Sequence, residues 1–169
     1  GLEAIRRARD MRIRPAAQKH GGQIVKWMGD GALILFSSLT EAMRAALSIQ
    51  SHEDQTTFRV GLHAGEVLLD GEDVMGDDFN VAARLEAMAL PGGICVSDRA
   101  QSQIKGQHGD VLTNCGERQL KNISNPMVVW HWPGVLPAPQ VARAAASRTG
   151  VRRLLVTLFS TRSRDEDDR

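Results

Sequence analysis

The segment Gln23-Ile-Val-Lys-Trp-Met-Gly-Asp-Gly-Ala-Leu-Ile-Leu-Phe36 constrains the fold of this chain more than any other. Two apolar runs flank Gly29-Asp30-Gly31. Asp-Gly between apolar strands is a strong hairpin signal, because the matching type I′ turn needs positive φ at both central residues. The segment therefore reads as two antiparallel strands, about 23–28 and 32–37. It also carries chemistry: a carboxylate at the tip, Asp30, and one lysine, Lys26, inside the first apolar run. A second informative stretch lies downstream, Asp73-Val-Met-Gly-Asp-Asp-Phe-Asn-Val-Ala-Ala-Arg84.

The elements around the hairpin follow from pattern and punctuation. Residues 1–19 read as helical, with five arginines between Arg6 and Arg14, read as a solvated face, and a break or restart at Pro15. Ser38-Leu-Thr-Glu41 is a capping-box pattern that opens a helix to about Ser51. Phe58–Leu69 reads as one strand, bent at Gly61 or Gly65. A second helix spans about 78–89 and is stopped by Pro91-Gly92-Gly93. Ile94–Ser97 is a short buried strand, a short helix follows near 98–105, and strands near 111–118 and 127–132 close the unit. Strands alternating with helices, plus hairpins, predict a mixed sandwich with helices on one sheet face. Residues 133–149, rich in Pro, Ala and Arg, read as a linker. Beyond them lie an apolar run, Val151–Phe159, and a charged tail that is either disordered or the first strand of a further domain.

Bulk properties exclude several classes. The 169 residues carry a net charge of +1, so no strong field favours nucleic acid or membrane. Aromatic residues are only 4% and tyrosine is absent, which argues against a sheet that stacks RNA bases. The two cysteines, Cys95 and Cys115, fit no metal spacing and no disulfide framework, so a reduced, cytoplasmic setting is the default. No apolar run reaches the length of a membrane span. No signal peptide opens the chain, which starts in mid-helix pattern.

Six residues are candidates for chemistry. Asp30 can hold a divalent cation against phosphate oxygens, or can simply serve the turn. Lys26, read with Ile24 and Met28 on its face, either meets a ligand or snorkels from an edge strand. Asn80 and Arg84, four residues apart, share a helix face that points away from the apolar stripe Val81, Leu85, Met88 and Ala89. Together they suit a phosphate gaining charge in a transition state, or an ordinary solvated face. Asp73 can accept an amine proton, although acids are common in turns. Lys121, in Gln119–Ser124, is within reach of phosphates or is a solvent lysine. The five histidines show no paired ligand spacing, and His63 reads as a packed strand residue. No phosphate-binding glycine loop and no Ser/His/Asp arrangement is readable.

Taken together, residues 15–36, 58–97 and 117–132 resemble the class III nucleotidyl cyclase catalytic domain, closest to the bacterial adenylate cyclase type. The resemblance covers about 1–132 and implies an α+β, ferredoxin-like cyclase sandwich with a mixed, mostly antiparallel sheet. It implies that Asp30 is one of two metal aspartates and that Lys26 and Asp73 select adenine. Lysine would donate to the ring N1, and aspartate would accept from the exocyclic amine. Guanine selection would want Glu and Cys or Ser at these places. Asn80 and Arg84 correspond to the transition-state pair, and Lys121 to a triphosphate contact. The implied substrate is ATP and the implied cofactors are two Mg2+ or Mn2+ ions per site. The implied assembly is a head-to-tail homodimer with each site at its interface. The implied reaction is attack of the ribose 3′-oxygen on the α-phosphate, with pyrophosphate leaving.

One departure stands out. The family's first metal aspartate lies on a first strand that precedes the opening helix and is central to the sheet. This chain begins after that strand, so the expectation is a fragment, inactive or poorly folded as given, of a protein that is a cyclase. The competing reading is a non-catalytic cyclase-like module that dimerises and regulates a partner.

Overall fold

Leu2–Ala8 (α1), a five-residue π-helical stretch Arg9–Ile13, and Arg14–Lys19 (α2) follow one another without a break. Pro15 stands in the first turn of α2, where a missing N–H costs little. The Arg14 N–H reaches back to the Arg9 carbonyl, so the wide turn absorbs the restart. The computed structural model describes residues 2–28, 31–52, 56–66, 68–70, 73–138, 151–156 and 158–159; for residues 2, 68–70, 73–75, 151–156 and 158–159 it describes the backbone.

The arginines of this segment are not simply a solvated face. Arg12 is only 3% exposed. It donates to the carbonyls of Ile49 and Thr56 and lies 4.6 Å over the Phe58 ring. The reason is geometric: the carbonyls in the last turn of a helix have no partner within it, and a guanidinium fork can satisfy more than one. Arg9 and Arg14 lie 4.6 and 5.1 Å from the Trp27 ring centroid.

Gly21, at φ +73°, ends α2, and the Gly22 N–H bonds the Ala17 carbonyl at 2.7 Å, a helix stop that needs a left-handed residue. The hairpin follows as predicted: Gln23–Met28 (β1) and Gly31–Leu35 (β2), paired antiparallel. Leu39–Gln50 (α3) starts at Ser38, whose Oγ accepts the Glu41 N–H at 3.3 Å. The stretch read as one long strand is divided into Thr57–Leu62 (β3), Ala64–Gly65 (β4) and Leu68–Asp70 (β5). Then come Asp73–Met75 (β6), Asp77–Met88 (α4), Ile94–Ser97 (β7), Asp98–Gln101 (α5) and Gln107–Asp110 (α6). Thr113–Arg118 (β8), Met127–Trp132 (β9), Val151–Val156 (β10) and Leu158–Phe159 (β11) complete the described elements.

The main sheet has the order β1-β2-β10-β3-β7-β9-β8. β2, β10, β3 and β7 run parallel, while β1 and the β9–β8 pair are antiparallel to their neighbours. Residues 151–156, part of the segment read as a linker and tail, thus lie in the middle of the sheet, with Leu155 opposite both Leu33 and Gly61. The central position expected for a first strand is occupied by chain from the far end.

Helices cover both sheet faces, which corrects the expectation of one. Phe58, Val60 and Leu62 of β3 and Ile34 and Phe36 around β2 join Ala42, Met43 and Ile49 of α3 in the largest core. On the other face Leu33 and Leu35 meet Ala82 of α4, and Cys95 and Val129 meet Val81, Leu85 and Ala89. Alternation along β2 makes this possible, since all five of its residues are buried, whereas β3 is apolar only on the α3 side and offers Gly61 to α4.

Candidate functional site

Helix α4 is the element that most clearly presents candidate residues. Val81, Leu85 and Ala89 are 7%, 0% and 3% exposed, and Ala82 is fully buried. Two adjacent stripes therefore face the sheet, leaving Asn80 exposed and Arg84 partly so, four residues apart on the opposite side of the helix. Asn80 and Arg84 stand on the side predicted for them.

Lys26 is exposed on β1, at the edge of the sheet. Its strand partner is Leu33, so it shares the sheet face that α4 covers. Of its two expected companions, Met28 shares this face and Ile24 does not. A bulge between Ile24 and Lys26 turns Ile24 to the α3 side, where it packs with Trp27, and leaves Val25 and Met28 on the α4 side. Asp73 opens β6 and pairs with Asp70 across the β5–β6 hairpin. Lys121 is exposed in the turn after β8. Asp30 lies outside the described residues. Among the described residues no group of three or more His, Cys, Asp or Glu could hold a metal ion, and no helix is long and apolar enough to cross a membrane.

The structure brings together three residues whose association the sequence did not reveal. His63 Nδ1 is 2.7 Å from Ser97 Oγ, and its Nε2 is 2.9 Å from Asp78 Oδ1. Asp78 Oδ2 accepts the Glu66 N–H at 2.8 Å. His63 and Ser97 are buried, at 5% and 2% exposure. Burial pushes the His63 pKa down, opposed by Asp78 and helped by Arg99. The three residues come from β7, α4 and the β3–β4 junction, 15 and 34 positions apart, so no local spacing signals them.

A polar cavity of about 450 Å³ adjoins this cluster, lined by Ser37, Gly65, Glu66, Asp78, Arg99 and Gln103 among others. It opens beyond the carboxyl ends of β2 and β3, whereas the β1–β2 connection lies at the amino end of β2. Lys26, Asn80, Arg84 and Lys121 do not line it.

Comparison with known proteins agrees with this architecture. The family model described as "Adenylate and Guanylate cyclase catalytic domain" matches residues 17–132. The chain belongs to this family, the class III nucleotidyl cyclases. It is 33% identical over 130 residues to "Putative adenylate cyclase 3" of Rhizobium meliloti, an alignment that takes 71% of this chain and 22% of that protein. The chain thus spans under a quarter of that relative's length. Among solved structures, the adenylate/guanylate cyclase/hydrolase from Silicibacter pomeroyi aligns with a TM-score of 0.62 and 35% identity, over 78% of this chain and 82% of that one. The guanylate cyclase domain of RhGC from Catenaria anguillulae in complex with GTP shares the fold, with a TM-score of 0.56 and 19% identity over 77% and 82% of the two chains.

Proposed function

We propose that this chain is part of an adenylate cyclase that converts ATP to 3′,5′-cyclic AMP and pyrophosphate. The observation that carries the reading is the face of α4: its buried stripes leave Asn80 and Arg84 directed outward, on the sheet face that also bears Lys26. An amide and a guanidinium held on a rigid helix suit the charge that builds on a phosphate during displacement. Lys26 would donate to the adenine ring and Asp73 would accept from its amine. Lys121 would meet the triphosphate.

Lys26, Asn80, Arg84 and Lys121 do not line the cavity within one chain. A second copy, packed head to tail, would enclose them and exclude water, so the proposed assembly is a homodimer. Asp30 would hold a divalent cation, Mg2+ or Mn2+. Such an ion, when bound, lowers the pKa of an attacking oxygen and neutralises leaving phosphates. The chain's own contribution would be position and electrostatics, the main sources of rate in phosphoryl transfer.

The test is production of cyclic nucleotide from ATP and from GTP with Mn2+, on this chain and on a longer form with a strand placed upstream. Cyclic AMP in either form, lost on Arg84→Ala, supports the proposal. Cyclic GMP in preference would reassign the substrate. A stable dimer without turnover in both forms would favour a regulatory module instead.

A further inference from the structure

The N-terminus of α4 is fixed in an unusual way. Its N-cap residue is Gly76, which offers no side-chain cap. The first turn is held through Asp78, two residues before Asn80. The Asp78 carboxylate crosses to the strand layer, taking the Glu66 N–H on one oxygen and His63 on the other. Gly65 makes room for it: a Cβ on Gly65 would run into the Asp78 carboxyl group.

The hydrogen-bond directions can be assigned throughout the cluster. A carboxylate has no proton to give, so His63 donates from Nε2 to Asp78. Its Nδ1 then accepts the Ser97 hydroxyl proton. Ser97 Oγ in turn accepts the Ala100 N–H at 3.2 Å, capping α5. Ser97 is 2% exposed with its Oγ occupied as the cap of α5, so it is closed to a substrate and does not serve as a nucleophile.

We infer that His63 is a positioning residue for the proposed transition-state pair: it ties the first turn of α4 to the ends of β3 and β7 and so fixes where Asn80 and Arg84 stand. The inference rests on the cyclase reading for its consequence, though not for its geometry. The tie is buried on the His63 and Ser97 side, so its hydrogen bonds are shielded from competition by water. Asp78 is partly open to the cavity, which places the same tie within reach of whatever enters there.

The experiment compares His63→Leu, which keeps bulk and loses both bonds, with His63→Gln, whose amide can still donate to Asp78. Both are made in the 169-residue chain and followed by amide hydrogen exchange. In His63→Leu the segment 77–84 is expected to exchange about tenfold faster, as lost hydrogen bonds to a carboxylate lower the local opening cost. Segments 39–50 and 57–62 should hold their rates, and His63→Gln should restore much of the protection. Uniform acceleration of all three segments, or none in 77–84, overturns the inference. In the form that cyclises ATP, His63→Leu should lower kcat about tenfold with KM within about twofold, since the pair acts on the transition state rather than on binding. An unchanged kcat alongside a loosened α4 also overturns it. Should no form cyclise ATP, the cyclase reading fails while the exchange result still decides whether His63 holds α4.

Discussion

A Cβ on Gly61 would lie 2.5 Å from the Ala82 carbonyl oxygen, so β3 and α4 meet backbone to backbone. It would lie equally close to the Glu86 nitrogen. Neither atom belongs to a flexible side chain that can swing aside. Gly61→Ala is therefore expected to destabilise the fold by roughly 2–3 kcal/mol through overpacking. Urea unfolding would show a lower midpoint with an unchanged m-value. An unaltered midpoint would mean that α4 sits further from the sheet.

Stability should fall as the solution is acidified below about pH 6.5, the ordinary histidine value. His63 and His131 both have pKa values pushed below it by burial. The unfolded chain then binds protons that the native chain refuses, so stability is full above the unfolded pKa and is lost as pH falls toward the folded value. The groups facing His63 are Asp78 on α4, Ser97 on β7 and Arg99 on α5. Glu41, lowered chiefly by its hydrogen bond to His20, acts below 4.5 and stays out of this window. Urea midpoints at pH 7.5 and 5.5 check this, and His63→Gln should shrink the difference. A midpoint that rises on acidification would reverse the sign.

The elements that were legible in the sequence are those written in local chemistry. Gly29-Asp30-Gly31 marked the hairpin, Ser38 and Glu41 marked the start of α3, and the stripe Val81, Leu85, Ala89 marked the buried side of α4. What was not legible depends on contacts between distant segments. The bulge near Val25, which reverses Ile24, follows from pairing with β2 and leaves no composition signal. Gly61 read as a bend, whereas its role is to admit the backbone of Ala82 and Glu86, more than twenty residues later. Arg12 looked like one of several solvent arginines, because nothing near it in sequence names the Ile49 and Thr56 carbonyls. His63, Ser97 and Asp78 meet only once β3, β7 and α4 are stacked.

Arg12 supplies a third prediction. Its guanidinium satisfies carbonyls in and beyond the last turn of α3 and stacks on Phe58. Arg12→Met keeps much of the packing but loses those buried hydrogen bonds, at an expected cost of about 2–4 kcal/mol. Lysine lacks the fork and should restore little of it. Thermal unfolding of both variants distinguishes this from a surface arginine, whose loss would leave the midpoint nearly unchanged.

On the proposed function, Arg84→Ala and Asn80→Ala should each lower kcat on the order of a hundredfold, the scale seen when one preorganised donor to a transition state is removed. KM for ATP should change far less. Both side chains lie on the outer face of α4, so the unfolding free energy should stay within about 0.5 kcal/mol of the parent. A fall in stability matching the fall in rate would make them structural residues and remove them from the proposed site.

The central strand β10 offers the sharpest test of the architecture. It pairs with β3 from Val151 to Leu155 and with β2 at Leu155 and Val156. Leu155 is paired on both edges and exchanges its amide only when the sheet opens, so its protection should be of the same order as that of 57–62. Proline in place of Leu155 removes a donor from the ladder and is poorly tolerated inside a sheet. The variant should expose 151–156 to exchange and, with it, the facing edges of β2 and β3. Those edges carry unpaired backbone groups once β10 leaves, so the variant should also self-associate, visible as a concentration-dependent rise in scattering. The contrary result is equally clear. If 151–156 exchanges freely in the parent chain while 31–35 and 57–62 remain protected, β2 and β3 are held together by something other than β10.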